Sequence, residues 1–354
     1  MHRLLAAGAA VALSAPTPAF SFTDPQIVEA SGIGLGLRSP GIAYVQNDSG
    51  DTNRFFAVDV RTGATAATII VPGATNVDWE DLAVGRTAAG VPSVWLADIG
   101  DNVAARPEVR IYRVDEPRVA PGDRDRSLRS APPAVWRLRY PGGATDAEGL
   151  AVGPGGTAYV VTKSIFGRSV VYRVPSRPDA EHVQPLQRVG TIALTPHGVP
   201  NPVGIPGELA ITGAAISPDG SIFAVRTYAE AYLWPLGPGG VPVALHDRPR
   251  FVRLPRQPQG EGIALPDDRH AWVDSEGEGS AVYDVPLPAL GPSPVSPASP
   301  ASPGSSSASP GPAALRAAPS RSRWPLLLAG VGAAVVLALA FWRFTRSTTR
   351  RSGR

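Results

Sequence analysis

From Ile27 to about Val285 the chain alternates short apolar runs, four to six residues long, with clusters of Gly, Pro, Asp and Asn. Runs of that length rich in Val, Ile, Thr and Tyr predict β-strands closed by tight turns. No stretch before residue 320 carries the apolar period of an amphipathic helix. One segment predicts four strands, at 82–84, 94–98, 109–114 and 135–140, and the next predicts 150–152, 158–162, 170–174 and a fourth near 188–193. A further segment predicts a strand at Ile216, then 222–226, 231–234 and 251–254. The last reaches only three, ending at 281–285.

The openings of these segments repeat. Asp78-Trp79-Glu80-Asp81-Leu82-Ala83-Val84-Gly85 returns as Asp146-Ala147-Glu148-Gly149-Leu150-Ala151-Val152-Gly153, and in shorter form as Gly260-Glu261-Gly262-Ile263-Ala264-Leu265. With Ser31 and Ala214 as weaker counterparts, the anchors lie 49, 68, 66 and 47 residues apart, so five units are expected with their length differences in loops. Four short antiparallel strands per unit describe a β-propeller blade, and the expected fold is an all-β, five-bladed propeller over residues 26–286. A strand at 26–29 is expected to complete the last blade and close the ring. The alternative for the same strands is a two-sheet sandwich.

Composition changes the picture mainly at the two ends. The formal charge of +3 is segregated: after Asp284 there is no acidic residue but eight arginines, and setting these and Arg3 aside leaves −6 for the head. An acidic head removes the electrostatic basis for nucleic-acid binding. Residues 1–19 have a short basic start, an apolar stretch and a small-residue site at Thr17-Pro18-Ala19, which reads as a signal peptide. Residues 287–320 turn to Pro, Ser, Ala and Gly and read as an extended stalk. The segment 324–344 contains 17 uncharged residues from Leu326 to Trp342 and reads as one transmembrane helix, followed by a basic tail at 345–354. The arginines after the helix place the tail in the cytoplasm and the head outside a bacterial cell membrane. Cysteine is absent, which excludes disulfides and thiolate metal sites.

Acids placed just before an inner strand converge at the channel mouth of a propeller. Asp78, Glu80, Asp146, Glu148 and Glu261 are therefore candidate metal ligands, with Asp81 beside them, and an all-oxygen set suits Ca²⁺. The competing reading is that these acids accept hydrogen bonds from neighbouring blades. A second series follows the next strand: Asp48, Asp98, Lys163, Arg226 and Glu276. It would form a polar ring in which Lys163, Arg226 and Asp98 are the candidates for catalytic chemistry on a phosphate ester. Lys163 is the only lysine against 32 arginines, and an ammonium is a more compact charge than a guanidinium. Gly32-Ile33-Gly34-Leu35-Gly36 precedes no helix pattern and is not a dinucleotide loop. No Gly-x-Ser-x-Gly elbow is present, and the histidines show no metal-ligand spacing. Trp79, Trp95, Trp136, Trp234 and Trp272 recur within blades and are expected to pack between sheets.

At Asp78-Trp79-Glu80-Asp81-Leu82-Ala83, Asp98-Ile99-Gly100-Asp101-Asn102, Asp146-Ala147-Glu148-Gly149-Leu150-Ala151, Arg226-Thr227-Tyr228 and Glu261-Gly262-Ile263-Ala264 the chain resembles secreted actinobacterial propellers and the esterase-like phytase and SdiA-regulated families. The resemblance implies a propeller, in some members with Ca²⁺ and with hydrolysis of esters or phosphate esters. The chain departs from the pattern at Thr212-Gly213-Ala214-Ala215-Ile216, where the acids are missing. The expected function is a membrane-anchored extracellular binding or sensing module for an unidentified ligand or protein. The alternative is a Ca²⁺-dependent esterase or phosphoesterase displayed at the cell surface, and a purely structural envelope protein is a third reading.

Overall fold

The computed structural model describes residues 14–290. The start of the expected leader, the stalk beyond residue 290, the expected membrane helix at 324–344 and the basic tail lie outside them. Among the described residues no helix is long and apolar enough to cross a membrane.

Each predicted unit folds as an antiparallel meander, and five meanders form the blades of a propeller. Blade one is built from Ala30–Leu35, Ile42–Asn47, Arg54–Asp59 and Ala64–Ile70, and blade two from Trp79–Arg86, Pro92–Asp98, Val109–Asp115 and Ala134–Arg139. Blade three comprises Ala147–Val152, Ala158–Thr162, Arg168–Arg173 and Gln187–Ala193. Blade four comprises Ile211–Ile216, Ile222–Thr227, Glu230–Pro235 and Arg250–Arg253. Blade five takes Gly260–Ala264, His270–Ser275 and Ala281–Pro286 from the end of the chain and its outer strand, Thr17–Ser21, from the beginning.

That outer strand corrects the expectation for 26–29. Thr17 pairs with Asp284 and Ser21 with Ala281, so the ring closes about ten residues earlier than the apolar pattern implied. Residues 26–29 are a connection whose backbone is held by Asn47: its Oδ1 accepts from Val28 and Glu29, and its amide donates to the Gln26 carbonyl. The strand also shares Thr17, Pro18 and Ala19 with the expected leader, so cleavage after Ala19 would leave only Phe20 and Ser21 of it.

The first strands of the blades neighbour one another around the axis, from blade one through blade five and back to blade one. Glycine is required where they converge. A Cβ on Gly32 would lie 2.2 Å from the Leu82 nitrogen, and one on Gly213 would lie 2.6 Å from the Glu261 carbonyl oxygen. The core is divided accordingly into five clusters, one at each junction between blades. Trp79, Trp95, Trp136 and Trp234 are buried there as expected, Trp95 stacked on Trp136 at 5.0 Å, while Trp272 is half-buried and meets Phe20 edge-on.

Two further strands went unread in the sequence. Arg126–Arg129, from a loop of blade two, lies parallel to the outer strand of blade one, and Asp179–Pro185, from a loop of blade three, lies parallel to the outer strand of blade two. Each clips a blade to its neighbour. Both are largely exposed and polar, so neither shows the alternation that marks a half-buried strand.

Candidate functional site

All five first strands carry a register shift at the same place. It falls between Ala30 and Gly32, Trp79 and Asp81, Ala147 and Gly149, Ile211 and Gly213, and Gly260 and Ile263. A β-bulge leaves a residue unpaired and re-aims its side chain. The residues so placed are Ser31, Glu80, Glu148, Thr212 and Glu261. The fourth anchor is therefore Thr212 rather than Ala214; the apolar echo around Ala214 and Ala215 put the sequence alignment two residues out. The two hydroxyls staple blades: Ser31 donates to the Glu80 carbonyl at 2.7 Å, and Thr212 lies 3.1 Å from the carbonyls of Gly260 and Glu261.

The three glutamates meet further acids at this end of the channel. Oxygens of Asp48, Asp78 and Glu80 lie within 4.8 Å of one another, and so do oxygens of Glu80, Asp146 and Glu148. Glu80 belongs to both groups. Glu80 and Glu148 are 2% and 1% exposed, yet Glu80 Oε1 and Glu148 Oε2 have no hydrogen-bond partner. Burial pushes Glu80 well above the usual carboxylate range, and the charges of Asp48, Glu148, Asp78 and Asp146 push it further. Burial does the same to Glu148 against the pull of Lys163, with Glu261 and Asp146 adding to the rise. Gly100 packs over the pair: a Cβ there would sit 2.2 Å from Glu80 Oε1 and 2.4 Å from Asp78 Oδ2.

Lys163 is the cation of this mouth. Its ammonium pairs with Glu148 Oε1 and lies 3.4 Å from the Tyr228 hydroxyl. Burial works against its charge, but Glu148, Tyr228, Glu261 and Asp146 together outweigh burial and hold it above its usual range. Glu148, Glu261 and Asp146 thus share one ammonium, and Glu80 links Asp146 and Glu148 to Asp48 and Asp78. A sphere of oxygens around Ca²⁺ at about 2.4 Å spans about 4.8 Å across, so either acidic group fits a hard divalent cation. No sulfur and no imidazole belongs to either group.

The second series does not form one ring. Asp98 pairs with the first residue of its blade, Trp79, whereas Arg226 pairs with Gly213, one step further along. Asp98 is fully buried, accepts from Arg106 at 2.9 Å and from the Asp78 nitrogen at 3.1 Å, and leaves Oδ2 unpartnered. Arg226 is also fully buried. Its three guanidinium nitrogens donate to the carbonyls of Thr227, Gly262 and Asp274 and to Gln257 Oε1, tying blade four to blade five. Beside it, burial raises the Asp274 carboxyl to about 7 although Arg226 pulls the other way. Glu276 accepts from Gln259 on the rim of blade five.

Asp81, the acid next to Glu80, faces inward. Its Oδ1 accepts from its neighbour Leu82 at 2.8 Å, and its Oδ2 accepts from Leu150 of blade three at 2.7 Å and Ala214 of blade four at 3.2 Å. A side chain of blade two that reaches blade four lies across the axis. Here the competing reading of the acids holds. Beyond Asp81 the channel opens at the opposite end into a cavity of about 630 Å³ with apolar walls.

Sequence reasoning missed Asp81 as the bar across the channel, Tyr228 as the neighbour of Lys163 and Gly100 as the lid of Glu80. Tyr228 and Gly100 stand inside motifs that the sequence did single out. His197, which shows no metal-ligand spacing in the sequence, has a structural role. Its ring bonds Glu230 at 2.8 Å and stacks on Phe251, and with Glu208 accepting from the backbone of His197 and Val199 it pins the Pro- and Gly-rich segment 195–208 to blade four.

No family model matches the chain, and no curated protein matches it. Among solved structures it is similar to the PQQ-bound aldose sugar dehydrogenase of Streptomyces coelicolor at 11% identity and TM-score 0.41, covering 77% of this chain and 99% of that one. The β-propeller domain of Myceliophteria thermophila Cps50 (Swd1) aligns at 9% identity and TM-score 0.36, over 73% and 84% of the two chains. A putative gluconolactonase aligns at 14% identity and TM-score 0.37, over 72% and 73%. Likeness at this level carries no chemistry; the blade assignment rests on the strand pairing itself.

Proposed function

We propose that the chain is a membrane-anchored extracellular propeller that binds a partner or ligand at its acidic mouth, and that the mouth holds Ca²⁺. The observation that carries the reading is Glu80: a carboxylate 2% exposed, within ligand distance of two acidic groups, with one oxygen unpartnered. Clustered buried carboxylates repel one another unless protons or a cation intervene, and a cation that displaces those protons meets the all-oxygen donor set that suits Ca²⁺.

The rim favours recognition over catalysis. Val77, Val103, Phe166 and Ile205 are 55%, 76%, 63% and 63% exposed. Hydrogen bonds link their loops around the mouth: Gly100 to the Asp78 carbonyl, Asp101 to the Asp146 carboxylate, Lys163 to the Asp146 carbonyl and Tyr228 to the Gly207 carbonyl. Exposed apolar side chains around a polar centre mark interaction surfaces. The esterase reading needs cations free to hold an anion, while Lys163 is paired with Glu148 and Arg226 is bound to carbonyls.

Thermal unfolding with Ca²⁺ against chelator tests the proposal. Calcium at a hundredfold excess over its Kd is expected to stabilise the fold by about 2.7 kcal/mol. The shift should fall to about half or less in Glu80→Gln, where affinity is expected to drop about tenfold or more. Equal melting temperatures with and without calcium in the wild type would sink the reading.

A further inference from the structure

The other end of the channel repeats with fivefold regularity. Four residues past each bulge stand Leu35, Val84, Val152, Ile216 and Leu265, one branched aliphatic from every blade, and all five line the 630 Å³ cavity. The wall continues with Pro and Gly, and its floor begins at Leu82 and Ala214, just beyond the Asp81 carboxylate. A blind apolar well of this volume is within the range of small-molecule sites.

Only one lining residue is charged. Arg86 is exposed, donates one hydrogen bond to the Gly90 carbonyl at 3.1 Å and has no carboxylate in ion-pair range among the described residues. The only hydroxyl in the wall, Ser217, is engaged with Asp219 at 2.6 Å. The well therefore offers a hydrocarbon surface along its length and a single unpaired guanidinium at its rim. The chain also enters and leaves the ring at this end, since Thr17 sits opposite Asp284 and Pro286 opposite His270.

We propose that the well binds a long-chain fatty acid, with its hydrocarbon chain along the axis and its carboxylate on Arg86. Apolar burial supplies the affinity, and the guanidinium matches a carboxylate in charge and geometry. Asp81 stops the chain end short of the acidic mouth, so the two ends act independently.

Photolabelling of the full chain in phosphatidylcholine nanodiscs, using palmitate with a diazirine near its terminal carbon, tests the proposal. Labels are expected on the first strands of blades one, two and four, around Leu35, Val84 and Ile216, competed away by unlabelled palmitate. Val84→Trp should cut labelling about tenfold or more, and Ile216→Phe provides the same test if the first variant folds poorly. Arg86→Gln should weaken competition by palmitate severalfold and leave methyl palmitate unaffected, while Glu80→Gln should change nothing. Labels confined to residues after 290, or unchanged in both filled variants, would overturn the proposal. Equal labelling by phosphatidylcholine carrying the same diazirine chain would overturn the assignment of the head group to Arg86.

Discussion

The two ends of one channel are built from the same five strands, four residues apart, and differ in how strictly they keep the fivefold repeat. At the bulge the ring reads Ser31, Glu80, Glu148, Thr212, Glu261; four residues on it reads Leu35, Val84, Val152, Ile216, Leu265. The aliphatic ring is uniform because every blade meets its neighbour with the same apolar contact. The polar ring is broken, with hydroxyls in blades one and four bonding the next blade's backbone and glutamates elsewhere. Between these two rings, the departure from symmetry falls on the one where charge gathers. Asp81, accepting from three backbone nitrogens, keeps the two environments apart.

Removing that bar should have the largest effect. Asp81→Ala leaves the nitrogens of Leu150 and Ala214 buried without acceptors, and at roughly 1–3 kcal/mol for each unsatisfied group a loss of about 2–6 kcal/mol is expected in urea unfolding. A loss below about 1 kcal/mol would show that the ring does not depend on the crossing.

The next test uses pH, which acts on the buried acids and not on the aliphatic ring. Burial raises Asp274 from 3.8 to about 7 and holds Glu80 and Glu148 above the usual range. The folded protein then retains protons that the unfolded chain has released, so in chelator stability should fall as pH rises from about 4 through 7. Calcium should flatten that slope by replacing the protons at Glu80 and Glu148, leaving the part due to Asp81, Asp98 and Asp274, which burial also raises. An apo protein that grows more stable over this interval contradicts the reading of the mouth.

A smaller effect is expected at Gly100. The added methyl of Gly100→Ala presses on Glu80 and Asp78, and overpacking of this kind costs about 1–3 kcal/mol. Calcium affinity should drop in titration calorimetry while palmitate labelling at the other end stays as in the wild type. Equal loss at both ends would mean that the channel behaves as one unit.

The blades were legible because their inner strands are buried on both faces and read as short continuous apolar runs between turns, and because Asp-x-Glu before an apolar strand recurs at Glu80 and Glu148. The closing strand was not, since Thr17-Pro18-Ala19 resembles a cleavage site and pairs through backbone rather than through a patterned face. The acidic mouth was read from spacing alone, but its division of labour was not. Whether an acid points outward like Glu80 or across the axis like Asp81 depends on a one-residue bulge, which changes the face of a strand without changing its composition. Arg226 and Asp98 looked equivalent in sequence for the same reason and lie at different levels.

Calorimetric titration of Ca²⁺ into the metal-free protein at pH 7.5, beside Glu80→Gln, decides whether the acidic mouth is a cation site. Saturable binding by the wild type is expected, with protons released as Glu80 and Glu148 ionise, and at least tenfold weaker binding by the variant. Saturable binding of equal strength in both proteins, or none in the wild type, would contradict a cation site there.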